Sequence, residues 1–204
     1  MAVSETHRIE KRDRITEAAI SVFAEKGYRS SRVSDVAREA GVADGTIYLY
    51  FRSKEELLLT IFEEKMEELL SELSDALSDI SCPLEQVRVY ARQHFTQLQN
   101  NPDLAQVFQI ELRQSHRFLR EYRPEKLWQY LDVFAEVIER GKRAGVIRQD
   151  VDSFVAKWAF FGALDELSIQ WVLARKRDRF DLDSAATQIV EMFLCGIKPM
   201  ESKE

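Results

Sequence analysis

At 204 residues, the chain has room for one large domain or two small ones. Hydrophobic residues make up 45% and charged residues 31%, which suits a soluble protein with a real core. No apolar run approaches the ~20 residues that cross a bilayer, and the N-terminus has no apolar signal core; a cytoplasmic protein without membrane attachment is expected. The net charge of −6 disfavours a sequence-blind nucleic-acid coat. It is unevenly spread, however: residues 1–54 hold ten basic and eight acidic side chains, and the remainder 19 and 27. A slightly basic head on an acidic body fits a protein that binds phosphate locally and is repelled elsewhere. Cys82 and Cys195 form no CxxC pair and read as idle thiols in a reducing compartment.

Apolar residues recur with a 3.6-residue period throughout, while glycine and proline are scarce at seven and four. The fold class expected is therefore all-α. A first helix over about 6–27 carries Ile15, Ala18, Ala19, Val22 and Phe23 on one face, and Gly27 ends it. Ser31 is placed to cap a second helix, about 32–40, with Val33, Val36 and Ala37 inward. Gly41 makes a turn, Val42 plugs it, and a third helix covers about 44–50. Ser53 and Glu56 form a capping box that opens a long fourth helix to about 79. Pro83 starts a fifth helix, about 84–99, and Asn101-Pro102 a sixth that ends near Ser115. The seventh spans about 119–144, with Leu127, Leu131, Phe134 and Ile138 on one stripe and Gly145 at its end. Asp152 can cap an eighth helix, about 153–176, and Asp183 a ninth, about 184–197. Apolar residues surround most of the eighth helix, which calls for burial against a second copy.

Two short helices joined by Gly41-Val42 and braced by the first make a helix-turn-helix unit, whose second helix enters the major groove of DNA. Gly45 lets the backbone approach the duplex. Thr46 can offer its methyl to thymine or its hydroxyl to phosphate. Tyr48 and Tyr50 have hydroxyls suited to phosphate oxygens, Lys54 supplies a point charge, and Ser31 and Ser34 set the second helix against the opposite backbone. Tyr48 and Tyr50 sit about 200° apart around a helix, so at least one faces outward; Ile47 and Phe51 read as anchors.

Residues 15–62 resemble the DNA-binding domain of the TetR family of repressors. The pattern runs Ile-x-x-Ala-Ala-x-x-x-Phe-x-x-x-Gly-Tyr, then Val-x-x-Val-Ala-x-x-Ala-Gly-Val, then Gly-Thr-Ile-Tyr-x-Tyr-Phe-x-Ser-Lys-Glu-Glu-Leu. The resemblance puts Thr46, Tyr48, Tyr50 and Lys54 on DNA-contacting positions. Ala43-Asp44 departs from the serine and basic residue that the family often has there. Glu111-Leu-Arg-Gln-Ser115 and Phe161-Gly-Ala-Leu-Asp-Glu166, followed by Trp171, are similar to the FadR-type branch, which shares the Ala43-Asp44 departure. That branch implies repression of fatty-acid degradation genes and release from a palindromic operator by long-chain acyl-CoA. It implies a helix-turn-helix domain over 1–53 and an effector-binding, dimerising domain over 54–204, a homodimer joined through the eighth and ninth helices, and no cofactor.

Phe95, Phe108, Phe134 and Phe161 either line a tunnel for an acyl chain or form ordinary core, and Leu112 lies in the matched stretch. Arg113, Arg117, Arg120 and Arg123 suit the phosphates of coenzyme A or form a solvated basic face. Asp165 interrupts an apolar run, so it pairs with an arginine across the dimer or hydrogen-bonds a ligand. His7, His94 and His116 have no metal spacing, and no phosphate loop, nucleophile elbow or paired-carboxylate motif is present. An enzyme is not expected. The competing readings are a repressor of the same family that senses another lipophilic molecule, such as a drug or signal, and an acyl-CoA carrier with a vestigial head.

Overall fold

The computed structural model describes residues 2–115, 121–175 and 179–199, and the side chains from residue 7 onward except that of Gln114. The described residues contain no strand. Their α-helices are α1 (Ala2–Lys26), α2 (Val33–Glu39), α3 (Asp44–Ile47), α4 (Lys54–Ser78), α5 (Pro83–Asn100), α6 (Pro102–Gln106), α7 (Glu125–Arg143), α8 (Ser153–Leu173) and α9 (Leu182–Ile197). No described helix is long and apolar enough to cross a membrane. The chain forms two compact units: 1–65 with 101–123, and 66–100 with 124–204. Compactness thus divides the chain differently from the functional division expected at 53/54. The start of α4 and the excursion after α5 both go with the N-terminal residues.

In the first unit, the apolar stripe of α1 (Ile15, Ala18, Ala19, Val22, Phe23) is buried as its spacing requires, and Val36, Ala37, Ile47, Phe51, Leu57 and Ile61 of the same unit are buried as well. Burying each large member contributes about 1.5–3 kcal/mol, which helices as short as α2 and α3 need, since they cannot stand alone. Two helix starts differ from expectation. Ser31 does not cap α2: the position is Arg32, whose N–H is met by the Asp35 carboxylate at 2.9 Å. The Ser31 hydroxyl turns back to donate to the Tyr28 carbonyl at 2.9 Å. At α4, the Glu56 N–H donates to Ser53 Oγ at 3.0 Å, and the Glu56 carboxylate reaches back to the Arg52 N–H at 2.7 Å. The expected box is therefore displaced by one residue on its return bond.

The sixth predicted helix is not a uniform α-helix. Pro102 sits in the first turn of α6, which passes into a π-helical turn, Val107–Glu111, and then a 3₁₀ turn, Leu112–Gln114. Helix α7 begins at Glu125, after non-helical residues 121–124, because Pro124 disfavours helical backbone in the residue before it; the expected start at 119 lies outside the described residues.

The second unit packs around aromatic rings. Phe134 of α7 stacks on Phe160 of α8 at 4.4 Å between centroids. Tyr90 of α5 meets Phe134 edge-on at 5.2 Å, and Phe193 of α9 lies 4.8 Å from Phe160. The Asp152 carboxylate caps α8 as expected, accepting from the Phe154 and Val155 N–H groups. Asp183 does not cap α9. Asp181 does, accepting from Asp183 and Ser184, because the helix begins at Leu182. Helix α8 buries only the stripe Ala156, Phe160, Leu164, Ser168 and Trp171 within its own chain.

Candidate nucleic-acid interface

The turn between α2 and α3 is closed by a full Schellman motif. Gly41 has φ +64°, a value that glycine adopts without a Cβ penalty. Its N–H reaches the Arg38 carbonyl at 3.2 Å, and the Val42 N–H reaches the Ala37 carbonyl at 2.9 Å. Arg14 of α1 satisfies the remaining end of α2 by donating to the Ala40 carbonyl at 2.6 Å. Helix α3 is held down by Ile47 and, just beyond it, Phe51, both buried. It is shorter than expected: after Ile47 the chain continues in turns, with N–H groups of Leu49, Tyr50 and Phe51 donating to the Thr46 and Ile47 carbonyls.

This anchoring divides the side chains. Tyr48 is 57% exposed and Leu49 80% exposed, while Thr46 and Tyr50 are half-buried. Ser34 of α2 is exposed, and so are Asp44 and Gly45. Leu49 is absent from the expected contact set, although it points away from the buried Ile47 and Phe51, and an exposed leucine in the turn after a short helix is a candidate for thymine methyl contact. Gly45 is informative in another way. Its φ is not positive, and a Cβ there would meet no atom within 4 Å. The fold does not require glycine at this position.

Ser31 and Lys54 are engaged internally. Ser31 is buried and bonded to Tyr28, as above, so its side chain is not presented to an external phosphate. The Lys54 ammonium donates to the Tyr28 carbonyl at 2.6 Å and the Ser31 carbonyl at 2.9 Å, and lies 4.4 Å from the centre of the Tyr28 ring. Partial burial lowers its pKa. Lys54 therefore ties the start of α4 to the α1–α2 turn. Burial, and next the charge of Glu55, raise the pKa of the Tyr28 phenol. On α2, Asp35 accepts from Lys26 at 2.8 Å and Arg38 at 2.9 Å. The Lys26 bond and the Arg32 N–H hold its carboxyl down at about 2. Arg29, Arg32 and Arg52 are exposed cations of this unit that sequence spacing did not single out.

The expected effector residues divide between the units. Phe108, Leu112 and Arg113 belong to the first, where the Phe108 ring packs 5.2 Å from Phe62 and Leu112 is buried. Phe95, Phe134, Phe161 and Asp165 belong to the second. Phe95 and Phe134 are fully buried core, and Phe161 is half-buried. Arg117 and Arg120 lie outside the described residues. Sequence reasoning passed over His94, which sits among these groups. Its ring lies 6.1 Å from Phe161, with Nδ1 3.1 Å from Tyr130 Oη and Nε2 3.2 Å from Ser168 Oγ. Ser168 Oγ donates its proton to the Leu164 carbonyl at 2.9 Å, so it must accept from His94. The imidazole is therefore the Nε2–H tautomer, receiving the Tyr130 proton on Nδ1. Burial drives its pKa down to about 4, against a smaller opposing pull from Asp165.

Residues 15–61 match the family of bacterial regulatory proteins called the tetR family, and residues 62–196 match the C-terminal region of YsiA-like proteins. The chain is 36% identical over 183 residues to the fatty acid metabolism regulator protein of Bacillus subtilis, covering 90% of this chain and 93% of that one. The solved structure of the fatty acid degradation regulator FadR from Bacillus halodurans superposes with a TM-score of 0.85 at 38% identity, over 91% of this chain and 95% of that one. FadR from Bacillus subtilis, solved in complex with stearoyl-CoA, gives 0.83 at 36% identity, over 90% and 98%.

Proposed function

The chain belongs to the TetR family of bacterial transcriptional regulators, and from that premise we propose that it represses fatty-acid degradation genes and leaves its operator when long-chain acyl-CoA binds. The head works through residues 1–53 and the effector and dimer functions through 54–204. The observation that carries the reading is Gly45 with its neighbours: a glycine the fold does not need, beside half-buried Thr46 and exposed Tyr48 and Leu49, over a buried Ile47–Phe51 anchor. A backbone approach at Gly45 places Thr46 and Leu49 at base edges. Tyr48, Tyr50 and Ser34 bond phosphate oxygens, and the N-terminus of α4 adds its dipole. Lys54 contributes its charge while bracing the turn, and Ser31 supports that brace.

What a single copy leaves uncovered supports a dimer. Phe154 and Val155 of α8 are 62% and 60% exposed, and Met192 of α9 is 69% exposed. Gly162 and Gly196, with open space where a Cβ would be, allow close helix approach on the same two helices. Two copies joined there present two heads to a palindromic site with half-sites about 34–36 Å apart. The effector assignment rests on similarity to the FadR that was solved with stearoyl-CoA. In the body, half-buried Phe161 is the apolar lining and Asp165 a polar contact, while Phe95 and Phe134 are buried core of the same unit. Phe108, Leu112, Arg113, Arg117 and Arg120 serve the segment between α6 and α7.

The experiment is fluorescence anisotropy on an operator recovered by selection from a random duplex pool. Stearoyl-CoA and lauroyl-CoA are titrated against free CoA and free stearate. Release by the acyl-CoAs alone is expected; unchanged binding across acyl lengths overturns the effector assignment. Mass spectrometry of ligand retained through purification separates acyl-CoA from another lipophile.

A further inference from the structure

Three helices end at a glycine in the left-handed region, and one of them ends differently. After Gly41 and Gly145, the next residue returns its N–H to its own helix: Val42 to Ala37 and Val146 to Gly141, at 2.9 and 3.0 Å. After Gly27, with φ +80°, the helix makes only the single bond from the Gly27 N–H to the Phe23 carbonyl, at 3.0 Å. The Tyr28 N–H, which would complete the motif, goes instead to Glu111 Oε2 at 2.7 Å, across 83 residues. Glu111 is buried, lies over the bare Cα of Gly27, and also receives Gln106 Nε2 at 3.4 Å. Four residues on, Ser115 Oγ donates to Glu55 Oε1 of α4 at 2.7 Å. Both ends of the Glu111–Ser115 stretch therefore reach the DNA-binding head, one at the end of α1 and one at the start of α4.

The backbone of Tyr28 is the junction. Its N–H is held by Glu111, and its carbonyl by Ser31 and Lys54. We propose that Glu111 is a positioning residue for DNA binding. Its carboxylate fixes the Tyr28 backbone, and through Lys54 the start of α4, in the arrangement that fits the operator. Its withdrawal is the step by which the effector lowers affinity, and this second half rests on the functional reading above. The alternative state is already provided by the chain. Without Glu111, the Gly27 N–H can shift to the Ala24 carbonyl and the Tyr28 N–H turn to the Phe23 carbonyl, completing the same cap that Gly41-Val42 and Gly145-Val146 make, which swings the Tyr28 carbonyl away from Lys54. The element that moves Glu111 is the π turn, Val107–Glu111. Such turns are rare and recur at functional sites; a one-residue register change back to α rotates a side chain by about 100°. The segment is covalently continuous with α5 and α7 of the second unit, so a change there reaches Glu111 along the chain.

The test compares wild type, E111A and E111Q in full-length protein by operator anisotropy, with and without stearoyl-CoA, and by the Tyr28 amide proton resonance in ¹⁵N-labelled protein. Allosteric coupling is typically about 5–150-fold, so wild type is expected to lose at least that lower factor on adding ligand. E111A is expected to bind the operator about tenfold more weakly, with the ligand effect reduced to within about twofold. E111Q, which keeps an oxygen acceptor but no charge, falls between them and stays informative if E111A does not fold. The Tyr28 resonance, downfield in wild type because its acceptor is anionic, moves upfield in both variants and in ligand-bound wild type. Variants that lose affinity but keep the wild-type ratio between ligand-free and ligand-bound binding show a merely structural Glu111 and overturn the proposal, as does E111A with wild-type affinity. If stearoyl-CoA fails to release wild type, the effector reading fails. The positioning role then stands or falls on the ligand-free affinity and the Tyr28 resonance.

Discussion

In the first unit, the bonds that set the shape run from long polar side chains to backbone groups far away in sequence. Arg14 holds the Ala40 carbonyl, Lys54 the carbonyls of Tyr28 and Ser31, and Glu111 the Tyr28 N–H. In the second unit, rings do this work: Phe134 on Phe160, Tyr90 on Phe134, Phe193 on Phe160. The difference follows from helix length. Helices of four and seven residues offer too little apolar surface to fix their own orientation, so directional polar bonds must add to it. Helices of 18–21 residues bury whole stripes and need few such bonds. The first unit is therefore tuned at single atoms, and the second by volume.

The sharpest test of that contrast is Phe134→Ala. It empties the centre of the ring cluster and is expected to cost about 3–5 kcal/mol in urea unfolding. A loss under about 1 kcal/mol would mean that the second unit is not governed by packing. The next test concerns a buried polar group in that unit, His94. Its folded pKa of about 4 lies below the ordinary 6.5, so the unfolded chain takes up a proton that the folded one refuses. The stability is fully present above pH 6.5 and falls as pH drops toward 4, with a slope of up to about 1.4 kcal/mol per pH unit. H94Q is expected to flatten that window in urea midpoints taken from pH 7 to 4; an unchanged slope would place the titration elsewhere. In the first unit the expected signature is different: Tyr48→Ala should leave unfolding within about 0.5 kcal/mol of wild type. It should cost about 1.5–3 kcal/mol in operator binding, the range for a hydrogen bond to a charged group.

The same contrast explains what could be read from the sequence. Gly27, Gly41, Ile47, Phe51 and the Ser53–Glu56 start were legible because each answers a local backbone demand that few other residues meet. The long-range partners were not. Nothing in the spacing around Glu111 says that its acceptor bond goes to Tyr28, and the bracing bonds of Lys54 were hidden because a lysine's charge is visible in sequence while its burial is not. Ser31 and Asp183 were each misplaced as caps where a neighbouring residue did the work, Arg32 and Asp181. In the second unit, the all-helical fold and the stripe of α7 were legible from periodicity. Phe95 and Phe134 carried no distinguishing mark, since a ring that lines a tunnel and a ring that fills a core have the same sequence signature. His94 was legible only as an isolated histidine, because its three partners come from α7 and α8.

The smallest expected effect separates the two kinds of constraint within one residue. Gly45 sits in α3 with an ordinary φ and open space beyond its Cα, so alanine there meets no atom and removes backbone freedom from the unfolded chain. Folding stability should rise by about 0.4–1 kcal/mol. If the backbone at Gly45 closes on the duplex, the added methyl must instead push a base or phosphate away, and operator affinity should fall while the protein becomes more stable. Opposite signs in the unfolding and anisotropy measurements would show that the glycine is kept for the partner. A variant that gained stability and kept its affinity would remove Gly45 from the interface and shift the weight of recognition onto Thr46, Tyr48 and Leu49.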